Sequence, residues 1–173
     1  MRMVCVKDLQ TLFDYSYWAN EKIFDVVAKL TPEEFTEQVA GSFGSVRNTM
    51  VHMMSAEWGW LDRSGGAQRG PALVAANYPT VASLGDQWRK VEANMREFLA
   101  TLKDSDLDQL REFSFGGPAY FMRRGDLLQH AAIHCIHHRG QVALLLRSLG
   151  YAPGNFDMLF YSGREQGVEL PIR

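Results

Sequence analysis

Arg124-Gly125-Asp126-Leu127-Leu128-Gln129-His130-Ala131-Ala132-Ile133-His134-Cys135-Ile136-His137-His138-Arg139-Gly140-Gln141-Val142-Ala143-Leu144-Leu145-Leu146-Arg147-Ser148-Leu149, closed by Gly150, is the stretch on which the reading of this chain turns. Its apolar residues recur at helical spacing, and a glycine just past the last turn can take the left-handed conformation that ends a helix. Four of the five histidines lie in it: His130, His134, His137 and His138. A helix advances about 100° and 1.5 Å per residue. His134 and His138 are then one turn and about 40° apart, so their imidazoles can meet on one ion. His130 and His134 stand in the same i, i+4 relation, and His137 is at i+3 from His134. His130 and His138 are about 12 Å apart along the axis, too far to share an ion through bonds of about 2.0–2.1 Å. The helix therefore offers two ligands, with His134 common to every pairing.

A third imidazole has to come from another element, and the remaining histidine is His52. It falls in a second long helical pattern, Val46 to Arg63, for which Ser45 is a fitting N-cap. Its helical neighbours Asn48, Thr49, Ser55 and Ala56, with Gly59 two turns on, are small or polar, whereas the apolar stripe runs along Val46, Met50, Met53 and Trp60. A small-residue stripe leaves room for an ion and a ligand. Three protein ligands with one position open is the usual form of a catalytic metal site. Without a metal, His52 reads as a half-buried, hydrogen-bonded histidine, and an i, i+4 pair alone is more often surface or core than ligand.

Outward from these two segments the helical period persists. A first pattern runs from Lys7 to Leu30 on Leu9, Leu12, Phe13, Tyr17, Ile23, Phe24 and Val27. Thr31-Pro32-Glu33-Glu34 starts a short helical turn. Gly41-Ser42-Phe43-Gly44 is a loop, and Ser64 to Pro71 is a flexible connection. A helix from Thr80 or Val81 to Lys103 carries Leu84, Trp88, Val91, Met95 and Phe98 on one stripe. Leu110 to Phe121, around Gly116-Gly117-Pro118, reads as a short hairpin or an ordered loop, and Asn155 to Gly163 as one more short helix. Four long helices imply an all-α four-helix bundle. Connections two and three are longer than an up-and-down bundle needs, so at least one crossover is expected. With no repeat, linker or low-complexity tract, residues 1–173 read as one domain.

The bulk properties exclude several classes. The 173 residues are 46% apolar with a formal charge of −2, which suits a folded globular chain. There is no basic stripe for nucleic acid, and the one pair of adjacent arginines is Arg123-Arg124. The two cysteines, Cys5 and Cys135, cannot form a disulfide framework, which points to a reducing, cytoplasmic home. The N-terminal residues lack the apolar run of a signal peptide. No stretch approaches the roughly 18 apolar residues of a membrane span.

Other residues carry weaker signals. Cys135, about 100° around the helix from His134, should face away from the ligands as a small core residue. Gly140 suggests close approach of another helix behind the ligands. Arg139 suits an acid or an anionic substrate, and Gln141 can fix an imidazole tautomer or bond elsewhere. Tyr15, Glu57 and Asp126 are the candidate proton-handling groups, and none has a spacing that selects it as a general base. Trp18, Trp58, Trp60 and Trp88 suit the core or the rim of a pocket.

Taken together, the run His134 to Val142, with a histidine, three residues and then His138-Arg139-Gly140-Gln141, resembles the signature of the DinB/YfiT-like metalloproteins. Val46 to Met53 is similar to that family's second-helix motif, Tyr15 to Asn20 to its first-helix motif, and Leu146-Arg147 with Gly150 and Asp157 to Tyr161 to its C-terminal signature. The resemblance spans about Leu9 to Tyr161. It implies a bundle of crossover topology with one divalent metal ion, usually zinc or nickel, on His52, His134 and His138. His130 and His137 are extra to that pattern, and the match to His-Arg-Gly-Gln selects His138 over His137. The resemblance also implies a small-molecule substrate, with a low-molecular-weight thiol as cosubstrate of an S-transferase, and suggests a homodimer. A metal-dependent hydrolase and a non-catalytic stress protein that binds a metal or small ligand are the alternatives. No partner of nucleic acid or membrane is expected.

Overall fold

The computed structural model describes residues 4–68, 70 and 73–171. Met1 to Met3, and Arg69 and Pro71 of the expected connection, lie outside the described residues. Among the described residues the order is α1 (Val6–Val27), α2 (Pro32–Thr36), α3 (Val46–Arg63), α4 (Val81–Thr101), β1 (Leu110–Phe113), β2 (Tyr120–Arg123), α5 (Arg124–Ser148) and α6 (Met158–Glu165), with short 3-10 turns at Ala75–Asn77 and Asp104–Asp108. The segment read as a hairpin or ordered loop is a hairpin: β1 and β2 pair antiparallel, Leu110 opposite Arg123 and Phe113 opposite Tyr120.

The helix ends follow local chemistry. Thr31 and Glu34 cap α2 reciprocally, each side chain bonded to the other's backbone N–H, and Ser45 Oγ accepts the Asn48 N–H at 3.1 Å to open α3. Gly150, with φ +88°, ends α5: the N–H of Tyr151 reaches back to the Leu146 carbonyl at 2.9 Å and that of Gly150 to Arg147 at 3.0 Å, the paired closure of a Schellman cap. α1 stops at Val27, short of the expected Leu30, because Lys29 and Leu30 donate to carbonyls three residues back and tighten the last turn. α4 ends at Thr101, short of Lys103, where Leu102 turns extended. α6 starts at Met158, later than the expected Asn155, and runs on to Glu165.

α5 packs against α3 on one side and α1 on the other, and α4 closes the ring against the same two helices. The core forms two clusters. One joins Ile23 and Val27 of α1, Met50 and Met54 of α3, Leu84 and Trp88 of α4, and Val142 and Leu146 of α5. The other joins Leu9 and Phe13, Leu61, Met95 and Leu99, and Leu128 and Ala132 of the same four helices. Each helix thus runs between the clusters, α1 and α5 in one sense, α3 and α4 in the other. The connection from α3 to α4 therefore travels back along the bundle. Gly66 sits beside Leu61 and Phe98 at one end, and Leu73, Ala75 and Tyr78 pack on the other cluster. That is the crossover the long second connection predicts.

Between the clusters lies a belt of buried polar groups. Arg139, 1% exposed, donates Nη2–H to the Ser16 carbonyl and hydroxyl and Nε–H to Asn20 Oδ1 at 3.0 Å. Its guanidinium also covers the Tyr15 ring. Glu57, equally buried, accepts from the Tyr17 hydroxyl at 2.6 Å. α5 is therefore inverted in places: Arg139 and His138 are buried while Ile133 and Leu144 are 52% and 66% exposed. Gly140 lies on that outer face, with no atom within 4 Å of where a Cβ would stand. The close helix approach expected at Gly140 is absent among the described residues.

Candidate metal centre

His52 comes from α3, and His134 and His138 from successive turns of α5, across the tightest helix seam of the bundle. Their Nε2 atoms converge. His134 Nε2 is 3.4 Å from His52 Nε2 and 3.1 Å from His138 Nε2, and the three donor atoms all lie within 4.8 Å of one another. Two nitrogens bonded at tetrahedral angles to one zinc-like ion stand about 3.3 Å apart, so the spacing fits a single ion. The donor chemistry fits too. Burial, then repulsion from the neighbouring imidazoles, pushes His52 and His134 down to about 4. Near neutral pH both rings are uncharged, the form that binds metal. The three-histidine cluster can hold a metal ion.

A loop closes over one side. Gly41 and Gly44 take φ +96° and +84°, and Ser42 between them is also left-handed at +50°. The two glycines adopt this at little cost, so the tight turn can fold back on α3. Asn48 Nδ2 holds the Phe43 carbonyl at 3.1 Å. Phe43 stacks on the His52 ring at 3.9 Å between centroids and lies 5.4 Å from the ring of His138. On the α5 side, His138 Nδ1 is 2.7 Å from Gln141 Oε1, which also accepts from Ser42 Oγ at 2.8 Å. His134 Nδ1 is buried with no hydrogen-bond partner among the described residues.

The other sequence candidates sort clearly. His130 packs edge-on against Trp60 at 4.6 Å, one turn from His134 and outside the cluster. His137 contacts Gln141, its Nε2 being 3.2 Å from the amide nitrogen. Cys135 is in the core as expected, its Sγ 3.8 Å from Glu57 Oε2, and burial pushes its thiol well up. Arg139 is held in the polar belt by Ser16 and Asn20. Asp126 takes both nitrogens of an Arg123 fork, and Tyr15 packs with Trp18 and Tyr161. None of Tyr15, Glu57 and Asp126 belongs to the histidine cluster. A cleft of about 460 Å³ between α1 and α4, lined by Tyr17, Asn20, Gly85 and Trp88, opens on the seam opposite the histidines. The contacts of Phe43 and Ser42 are not legible in the sequence, because a loop residue's partner on another element leaves no periodic trace.

The DinB family model matches residues 4–168. Among curated proteins, the chain is 23% identical over 156 residues to Protein DinB of Bacillus subtilis (strain 168), covering 87% of this chain and 91% of that protein. It is 23% identical over 145 residues to the uncharacterized protein YizA of the same organism, covering 84% and 90%. Among solved structures, a DinB-like protein from Bacillus cereus ATCC 10987 superposes with a TM-score of 0.71 at 24% identity, covering 87% of this chain and 97% of that one. The bundle, its crossover and the match along nearly the whole length agree: this chain belongs to the DinB family.

Proposed function

We propose that His52, His134 and His138 hold one divalent ion, zinc or nickel, and that the protein is a metal-dependent enzyme joining a low-molecular-weight thiol to an electrophilic small molecule. The observation that carries this reading is the convergence of three Nε2 atoms at spacings suited to one tetrahedral ion. Imidazole ligates as a neutral donor, so three of them would leave the charge of the ion without offset and favour an anionic fourth partner such as a thiolate. When bound, such an ion supplies Lewis acidity that lowers the pKa of a coordinated thiol or water. The chain holds the donors on two helices and shields one face with Phe43. In the transfer, the thiolate sulfur bonds to the electrophilic carbon, the leaving group departs with its electron pair, and the thiol proton passes to solvent. The choice of a thiol rests on the family resemblance, and zinc's affinity for sulfur agrees with it.

The remaining expectations are part of the same proposal. A single domain is supported by the family match over residues 4–168. Among the described residues no helix is long and apolar enough to cross a membrane, and Cys5 and Cys135 are free thiols, in keeping with a reducing cytoplasm. For the homodimer, the outward face of α5 offers a surface: Ile133, Ile136 and Leu144 are exposed around Gly140.

The test is elemental analysis of untagged protein, followed by thiol-consumption assays with electrophiles. One ion per chain in the wild type, close to none in His134→Ala with the helical signal intact, and thiol consumption that needs both the ion and His138 are expected. Full metal retention in His134→Ala removes the site. Ester cleavage without thiol replaces the transferase with a hydrolase, and inactivity of the loaded protein toward thiols and esters leaves a binding protein.

A further inference from the structure

The contacts of Gln141 run from the metal site to the loop that covers it. The Gln141 carboxamide touches three groups. Its Oε1 faces His138 Nδ1 at 2.7 Å and accepts from Ser42 Oγ at 2.8 Å, and its Nε2 is 3.2 Å from His137 Nε2. A carboxamide is polar in one sense only: oxygen accepts and nitrogen donates. With the amide N–H given to His137, the oxygen is turned toward His138 and Ser42. An oxygen cannot donate, so an amide oriented this way selects the His138 tautomer with its proton on Nδ1. In the neutral form of that tautomer the lone pair is on Nε2, the atom that converges with His134 and His52. The extra histidine of the sequence, His137, has its Nε2 occupied by this amide and serves to orient it.

Ser42 also contacts Thr49 on α3, hydroxyl to hydroxyl at 3.1 Å, and Thr49 is tied back to the Ser45 carbonyl at 2.8 Å. The next loop residue, Phe43, stacks on His52. The loop from Gly41 to Gly44 therefore touches the ligand set twice, through Gln141 to a histidine of α5 and through Phe43 to the histidine of α3. Those two histidines have to come together on one ion.

We propose that Gln141 is a positioning residue of the metal site and that, through Ser42, it couples ion binding to the order of the Gly41–Gly44 loop. This rests on the three-histidine reading above. Pull on His138 Nε2 makes its Nδ1–H a stronger donor, which strengthens the bond to Gln141. The oriented amide then holds Ser42, and Phe43 stays seated on His52. Binding linkage is reciprocal, so whatever the ion does for the loop, the loop does for ion affinity.

The experiment measures ion affinity by chelator competition, and hydrogen exchange of the peptide spanning Val39 to Gly44, with and without zinc. Wild type, Gln141→Ala, Gln141→Glu and Ser42→Ala are compared. Gln141→Ala should weaken zinc binding roughly 10- to 100-fold, the usual effect of removing the partner of a ligating histidine, and abolish the slowing of loop exchange by zinc. Gln141→Glu retains an acceptor for His138 and Ser42 and should restore both readouts. Ser42→Ala should lose the zinc-dependent slowing with only a few-fold loss of affinity. Wild-type protein that binds zinc while Gln141→Ala binds it equally well overturns the positioning role. An affinity loss with loop exchange that is indifferent to zinc overturns the coupling. Wild-type protein that takes up no ion overturns the metal reading first, and this inference with it.

Discussion

Replacing Glu57 by glutamine isolates the cost of an acid buried in the middle of the bundle. The side chain is 1% exposed, and burial raises its pKa from 4.5 to about 7, against the opposing pull of the Tyr17 hydrogen bond. An acid whose folded pKa lies above its unfolded value is neutral in both states at low pH. As pH rises through 4.5 the unfolded chain ionises first, so the folded state loses stability until the folded pKa is passed, and the full cost stands above pH 7. At 1.36 kcal/mol per unit the shift amounts to about 3 kcal/mol. Glutamine keeps the shape and an oxygen for the Tyr17 hydroxyl but has no proton to lose. Urea unfolding of metal-free protein in chelator, from pH 5 to 8, should show the variant gaining on wild type by about 2 kcal/mol or more across that range. For a chain of this length that is roughly 5 °C or more in Tm. The histidines titrate alike in both proteins and cancel, and any loss of packing shifts the curves without changing their separation with pH. Two curves that stay parallel from pH 5 to 8 would refute the reasoning.

Arg139→Met leaves the Ser16 carbonyl and Asn20 Oδ1 without donors in the polar belt and should lower unfolding free energy by about 3 kcal/mol. Arg139→Lys should recover little, because an ammonium cannot span both partners; a loss below about 1 kcal/mol in urea titration contradicts this. If the outward face of α5 is the dimer surface, Leu144→Glu should sediment as a monomer at concentrations where the wild type is dimeric, and an unchanged sedimentation coefficient assigns the dimer to another face.

The parts of this molecule that repeat with the helix were legible beforehand, and the parts set by one-off contacts were not. His134 and His138 follow from a fixed advance per residue, and Ser45, Thr31 and Gly150 from the needs of unpaired backbone groups at helix ends. The crossover followed from connection length, because a chain that leaves α3 at one end and enters α4 at the other has to travel the bundle. The inner face of α5 was harder. Simple amphipathic reasoning puts charge outside and aliphatics inside, yet Arg139 is buried and Leu144 is exposed. Arg139 tolerates burial because Ser16 and Asn20 of α1 take its protons, a pairing across more than a hundred residues that no periodicity encodes. Gly140 misled for a related reason: its lack of a side chain suggested a neighbour pressed against it, and its face of α5 is open.

The tetrad His138-Arg139-Gly140-Gln141 shows how much a short motif can specify when each residue points a different way. Successive side chains on a helix turn by about 100°. His138 faces α3 and the converging nitrogens, and Arg139, a quarter turn on, reaches into the polar belt and fastens α5 to α1. Gly140 comes round to the outside. Gln141 returns to within about 60° of His138, near enough to hold its Nδ1 and the loop hydroxyl of Ser42 together. One turn of helix thus provides a histidine of the converging cluster, the anchor that fixes the helix carrying it, and the carboxamide that meets its Nδ1. Moving any of the three by one position would turn it by about 100° and break its contact, which is why the order of these residues, and not merely their presence, defines the site.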